Sequence, residues 1–219
     1  SSVTKLYSVI FELSAWTTAV VLAEYVGFWT YLPNIEVARE LSEKLVSPNK
    51  YIDGRPRSPL SGAELFELVK EYDCMIGPAH SFTPWTGMYK TYDSIYDCYE
   101  KAPDFVELGL SADTDMADTV KELADFVFLT NSDAHSPWPH RLGREFNQIE
   151  MEDISYTSLQ KALKHKTVKA NYGLLPNLGK YHMTACTKCF KLIDPEVAKE
   201  NKMIKTFDIS FGYSKLSFI

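Results

Sequence analysis

The chain has 219 residues, 45% of them hydrophobic and 24% charged, the composition of a globular protein with one sizeable core. A formal net charge of −6 and a pI near 5.4 exclude a global basic footprint for nucleic acid, so only a local groove or bound cations can attract phosphate. Four cysteines, with Cys74 and Cys98 isolated, do not make a secreted disulfide framework, and a reducing, cytoplasmic compartment is expected.

In chain order, Tyr7 to Leu32 comes first, an apolar and aromatic run. Glu12 and Glu24 cut its uncharged stretch to eleven residues, Leu13 to Ala23, against the roughly twenty that a bilayer demands. No membrane span or signal peptide is expected, and the piece reads as buried core, either a helix or a strand–helix unit. Residues 35–45 place Val37, Leu41 and Leu45 on one face of a helix. Residues 47–60 form a turn-rich loop. Ser61 with Glu64 is a capping-box pair opening a helix to about Tyr72. A strand around residues 74–76 then runs into GPAHSFTPW, and residues 105–110 (FVELGL) form a strand ending in SADTD. A helix over 116–124, a strand over 126–129 and a helix over 155–166 complete the pattern. Alternation of this kind argues for an α/β domain with a parallel sheet or barrel.

The polar residues fall at the strand ends. His80 follows the first of these strands, Glu107 to Asp113 the second, and Asn131 to His135 the third. Parallel α/β folds gather their chemistry at the carboxyl ends of strands, where the outgoing loops converge. An Asp-x-His turn, here Asp133 and His135, offers an oxygen and an imidazole nitrogen to a cation such as zinc, manganese or iron. The plain alternative is that Asp133 caps a turn and His135 packs on Trp138. Glu107 is either a ligand facing the mouth or a paired structural carboxylate. Asp113, Asp115 and Asp118 read equally as the acidic first turn of a helix. Cys186 and Cys189 have the two-residue spacing that lets two thiolates reach one zinc, with His182 just upstream.

GPAHSFTPWTGMYKTYDS (77–94), ELGLSADTDMAD (107–118) and TNSDAHSPWPHRLGREFN (130–147) resemble the PHP (polymerase and histidinol phosphatase) domain. More narrowly they are similar to the endonuclease Q family of archaeal and bacterial DNA-repair nucleases, from about Asp53 to about Phe190. The resemblance implies a (β/α)7 PHP-type barrel, here partial, with a small C-terminal zinc-ribbon-like remnant. It divides the chain into a divergent apolar segment (1–34), the barrel portion (35–172) and an incomplete zinc-binding segment with a tail (173–219).

The activity it implies is metal-dependent cleavage of DNA 5′ to deaminated bases such as uracil and hypoxanthine, or at abasic sites. His80, Asp133 and His135 become catalytic metal ligands, with Glu107 beside them, and loss of Asp133 should most directly abolish cleavage. The implied cofactors are zinc, manganese or magnesium ions, with a structural zinc at Cys186 and Cys189. The implied partners are DNA containing deaminated bases and a sliding clamp. Arg141 and Arg144 then read as phosphate clamps or as solvated residues. Phe82, Trp85, Tyr89 and Trp138 read as stacking partners for an extruded base or as a roof over the barrel.

Two departures matter. No histidine precedes His80, so the family's opening His-x-His strand is not matched, and no cysteine follows Cys189. The chain is therefore expected to be truncated or degenerate at both ends and impaired in cleavage. Two other classes fit the same residues: a PHP-type phosphoesterase acting on a small phosphorylated molecule, and a non-catalytic module that binds DNA or a partner.

Overall fold

The structure, a computed structural model, describes residues 7–11, 18–23, 26–47, 57–83, 87–134, 138, 143–178, 184–185 and 192–193. The apolar N-terminal run departs from the expected helix or strand–helix unit. It supplies strands β1 (Tyr7–Phe11), β2 (Thr18–Ala23) and β3 (Val26–Tyr31). β2 and β3 form an antiparallel hairpin from Thr18↔Tyr31 to Ala23↔Val26. The β-branched and aromatic residues of these segments favour a pleated, two-sided surface over a helix. Helix α1 (Ile35–Lys44) follows, its first turn capped by Asn34, whose side chain accepts from the Val37 amide.

β4 (Arg57–Ser58) pairs parallel to β2. Helix α2 (Gly62–Lys70) opens with both halves of the capping box between Ser61 and Glu64, as the sequence predicts. β5 (Met75–Pro78) lies antiparallel to β3, with Phe28↔Pro78 and Tyr31↔Met75. Short helices α3 (Met88–Thr91) and α4 (Ile95–Tyr99) lead to β6 (Val106–Glu107). The helix expected over 116–124 breaks into α5 (Thr114–Ala117) and a 3-10 turn at Lys121–Leu123. Thr119 Oγ1 donates to the Met116 carbonyl, and such a side-chain bond competes with helix propagation.

β7 (Phe128–Leu129) pairs parallel to β6. β8 (Phe146–Met151) lies between β1 and β9 (Val168–Tyr172), antiparallel to both, with helix α6 (Tyr156–Lys164) joining β8 to β9. β10 (Thr184–Ala185) and β11 (Leu192–Ile193) make a small antiparallel pair. The fold is mixed α/β, and among the described residues the parallel pairing expected from the alternation is found at β2–β4 and β6–β7, beside antiparallel pairs. Nor is any described helix long and apolar enough to cross a membrane.

β5, β6 and β7 stand side by side. The Asp104 amide donates to the Ile76 carbonyl and the Ser81 amide to the Glu107 carbonyl, each at 2.9 Å. The backbones approach so closely at Gly77 that a Cβ there would lie 2.4 Å from the Phe105 carbonyl oxygen, so glycine is required. Side chains alternate between two cores across this wall. Phe28, Ile76, Val106 and Phe128 face α1, α2 and α4. Trp29, Tyr31, Met75, Phe105 and Leu129 face the opposite core, with Ile149 and residues of α6. Since Val106 belongs to the helix side, Glu107 points into the opposite one, among aromatic rings. Both faces are buried, which is why these strands carry few polar residues until they end.

Candidate active site at the strand ends

The chemistry-bearing residues sit where β5, β6 and β7 run out. His80 leaves β5 in the left-handed region, with φ of 36°, and Asp133 leaves β7 likewise, with φ of 46°. Side chains rarely adopt this backbone, and where they do the surroundings must hold it. The His80 turn is packed on both sides by glycines. A Cβ on Gly27 would lie 3.0 Å from His80 Cε1, and one on Gly109 would lie 2.7 Å from His80 Cβ. Gly109 itself has φ of 73°, a conformation glycine adopts without cost.

Between these turns lies Glu107, 1% exposed. Its Oε2 accepts from the Trp29 indole N–H and, at 2.7 Å, from the His80 amide. Its Oε1 accepts from Asn131 Nδ2 at 2.9 Å. The same amide nitrogen reaches the Tyr31 hydroxyl, and Asn131 Oδ1 accepts from Asn147 Nδ2. Burial pushes the Glu107 carboxyl up to about 8, and the charge of Asp133 adds to the rise, while the three N–H donors oppose it. Two carboxyls that sense each other across a buried rim favour an intervening cation or proton. Burial also pushes the Tyr31 hydroxyl far above its ordinary range.

Beside this rim is a cavity of about 280 Å³. Leu108, Gly109, Asp113, Thr130, Glu145 and Leu174 are among its walls. Glu145 is buried; it accepts from Thr130 Oγ1 and the Leu174 amide, and burial raises its carboxyl above the usual range. Asp113 caps α5 through the Met116 amide, in agreement with the helix-turn reading of that acidic stretch.

The other expected residues divide as follows. Arg144 donates Nη2 to the Ser132 carbonyl at 2.7 Å and so braces the Asp133 turn from behind. Trp138 is 64% exposed. Phe82 is buried and stacks on Tyr89 at 5.3 Å, which makes this pair a roof over the core. His135, Arg141, Trp85, Cys186 and Cys189, with His140 and His182, lie outside the described residues. Among the described residues no three His, Cys, Asp or Glu side chains gather as a cation site. Sequence reasoning missed Trp29, Glu145, Asn147 and Asn171. Trp29 sat unmarked in an apolar run, and the asparagines carry no local signal beyond being amides inside strands.

No family model matches the chain. Among curated proteins, it is 52% identical over 177 residues to an uncharacterised protein of Methanocaldococcus jannaschii, covering 77% of this chain and 21% of that one. It is 37% identical over 166 residues to an uncharacterised protein of Bacillus subtilis, covering 73% and 42%. Among solved structures, the lesion-specific endonuclease Q of Pyrococcus furiosus superposes with a TM-score of 0.75 at 44% identity, covering 86% of this chain and 49% of that one. An endonuclease Q bound to a 27-mer duplex with an abasic lesion at its active site gives a TM-score of 0.75 at 41% identity, covering 90% and 52%. The chain thus spans about half or less of the length of the proteins it matches. In sequence and in fold it is an endonuclease Q-like protein.

Proposed function

We propose that the chain carries the strand-end centre of a metal-dependent DNA endonuclease that cuts 5′ to a deaminated base or at an abasic site. The observation that carries this reading is the convergence of the β5, β6 and β7 ends on one hydrogen-bonded rim, with His80 and Asp133 on left-handed turns either side of Glu107. That arrangement occurs in a chain whose solved likenesses are endonuclease Q proteins, one of them bound to a duplex with an abasic lesion.

An imidazole and a carboxylate on adjacent turns suit zinc or manganese, so His80 and Asp133, with His135, would hold the ion. Such an ion supplies an activated water and neutralises charge on phosphate oxygens. Arg144 fixes the backbone of the Asp133 turn through Ser132. The chain's net charge of −6 gives no long-range attraction to DNA, so binding rests on local cations and on any bound metal. The β-wall reads as part of a (β/α)7 PHP-type barrel. Cys186 and Cys189 fall in sequence between β10 and β11, and two thiolates are half of a four-ligand structural zinc site, so this segment reads as an incomplete one. Because the chain has no His-x-His pair, its own cleavage is expected to be weak.

The test is nicking of duplexes carrying uracil, hypoxanthine or an abasic site, with added manganese or magnesium, against an undamaged duplex and a small phosphomonoester. Asp133→Asn should lower lesion-specific nicking by roughly 1,000-fold, the several kcal/mol that a metal contributes to charge stabilisation. Full activity in that variant removes the proposed metal role. Turnover of the phosphomonoester alone would assign a small-molecule phosphoesterase. DNA retention at low salt without turnover of any substrate would assign a binding module.

A further inference from the structure

The geometry points to Glu107 as a positioning residue, a carboxylate clamp that sets the His80 and Asp133 turns rather than a group that binds the metal. This rests on the proposed site and assigns Glu107 a role within it. Four strands meet on this one residue. Its carboxylate takes the indole N–H of Trp29 from β3, the amide of His80 after β5, and the side-chain amide of Asn131 after β7. Its own backbone carbonyl, on β6, accepts from both the amide and the hydroxyl of Ser81. Trp29, Glu107, Ser81 and Asn131 are all buried.

Hydrogen-bond capacity favours the clamp, since three of the carboxylate's four acceptor sites are already filled. Oε2 has two acceptor sites and both are occupied. Oε1 holds Asn131 and is committed to the β7 side. Binding a metal through Oε2, or through both oxygens, would require surrendering an N–H that is buried, at a cost of about 1–3 kcal/mol for each donor left unsatisfied; one acceptor site, the second on Oε1, stays open. Kept in place, the three bonds do what second-layer carboxylates do around metal centres, which is to orient the groups that touch the ion. The His80 amide bond holds the turn at φ of 36°. Asn131, two residues before Asp133, fixes the start of the other turn. Glutamine at 107 keeps the shape but replaces one acceptor oxygen by an NH₂ group, which must face at least one of the three donors.

Two measurements on the intact chain test this, with Co²⁺ as the metal probe. Glu107→Gln should raise the Co²⁺ dissociation constant by about 10–100-fold, while the visible absorption bands of the saturated protein stay those of wild type. In the metal-free protein, amide hydrogen exchange at His80 and Ser81 should speed up at least tenfold while amides of α2 and α6 keep their protection. Trp29→Phe removes a single donor and should move both readouts the same way by less; it carries the test if Glu107→Gln does not fold. Shifted bands at saturation would make Glu107 a ligand and overturn the proposal. So would unchanged affinity with unchanged exchange, or a loss of protection spread evenly over the fold. If wild-type protein takes up no Co²⁺, the proposed metal centre falls, and the exchange pattern alone then decides whether Glu107 is the clamp.

Discussion

Gly109 shows how a single atom governs the rim. Its φ of 73° and the 2.7 Å from a built Cβ to His80 Cβ leave no room for a side chain. Gly109→Ala is expected to cost about 1–3 kcal/mol from the left-handed backbone alone, with further loss as the His80 turn is pushed away. Urea unfolding measures the first effect, and a stability equal to wild type would contradict it. Glu145 acts through its charge. Burial raises its folded-state carboxyl above the ordinary value of 4.5, so the folded chain holds a proton that the unfolded chain releases. The carboxyl therefore contributes most below about pH 4.5, and its contribution is lost as pH rises through the folded-state value. Relative to Glu145→Gln, the wild type should lose stability as pH rises above about 4.5, at up to about 1.4 kcal/mol per pH unit. A wild-type advantage that grows with pH over that range would refute this.

At the scale of elements, two kinds of connection hold the fold, and they differ in strength. The Ser61–Glu64 capping box closes α2 locally and at the surface. Ser61→Ala should cost about 0.5–2 kcal/mol. Asn147 connects elements through the interior. Its Oδ1 accepts from the Thr130 amide and from Asn171 Nδ2, and its Nδ2 donates to the Thr130 carbonyl, all at 2.8 Å. These bonds replace the backbone ladder that β7 and β8 do not form, and Asn171 adds one to the Phe128 carbonyl. Asn147→Ala strands several buried polar groups and should cost roughly 2–5 kcal/mol, at about 1–3 kcal/mol for each. Chemical denaturation of both variants checks the order; a milder effect for Asn147→Ala would mean that the amide stitching contributes little. Elements were legible where their signals are local. The Ser61–Glu64 capping box follows from sequence, and α1, α2 and α6 lie within two residues of their expected spans. α5 was overextended because nothing in its periodicity reveals the competing Thr119 bond.

For the whole molecule, the division between sequence and structure follows the range of the interactions. The chain by itself determined the three strand-end motifs, because an apolar run that stops at His80, Glu107 or Asp133 records within a few residues where burial ends and chemistry begins. It also determined the amphipathic helices and their caps, which depend on neighbours three or four positions away. Only the tertiary structure decided what Glu107 does, since its indole partner Trp29 lies 78 residues away. Folding likewise made strands of the N-terminal run, since β3 is held in register against β5 as well as β2, and β1 against β8. Local pattern encodes which residues are buried; which buried groups meet depends on chain closure over tens of residues, and no short-range period carries that information.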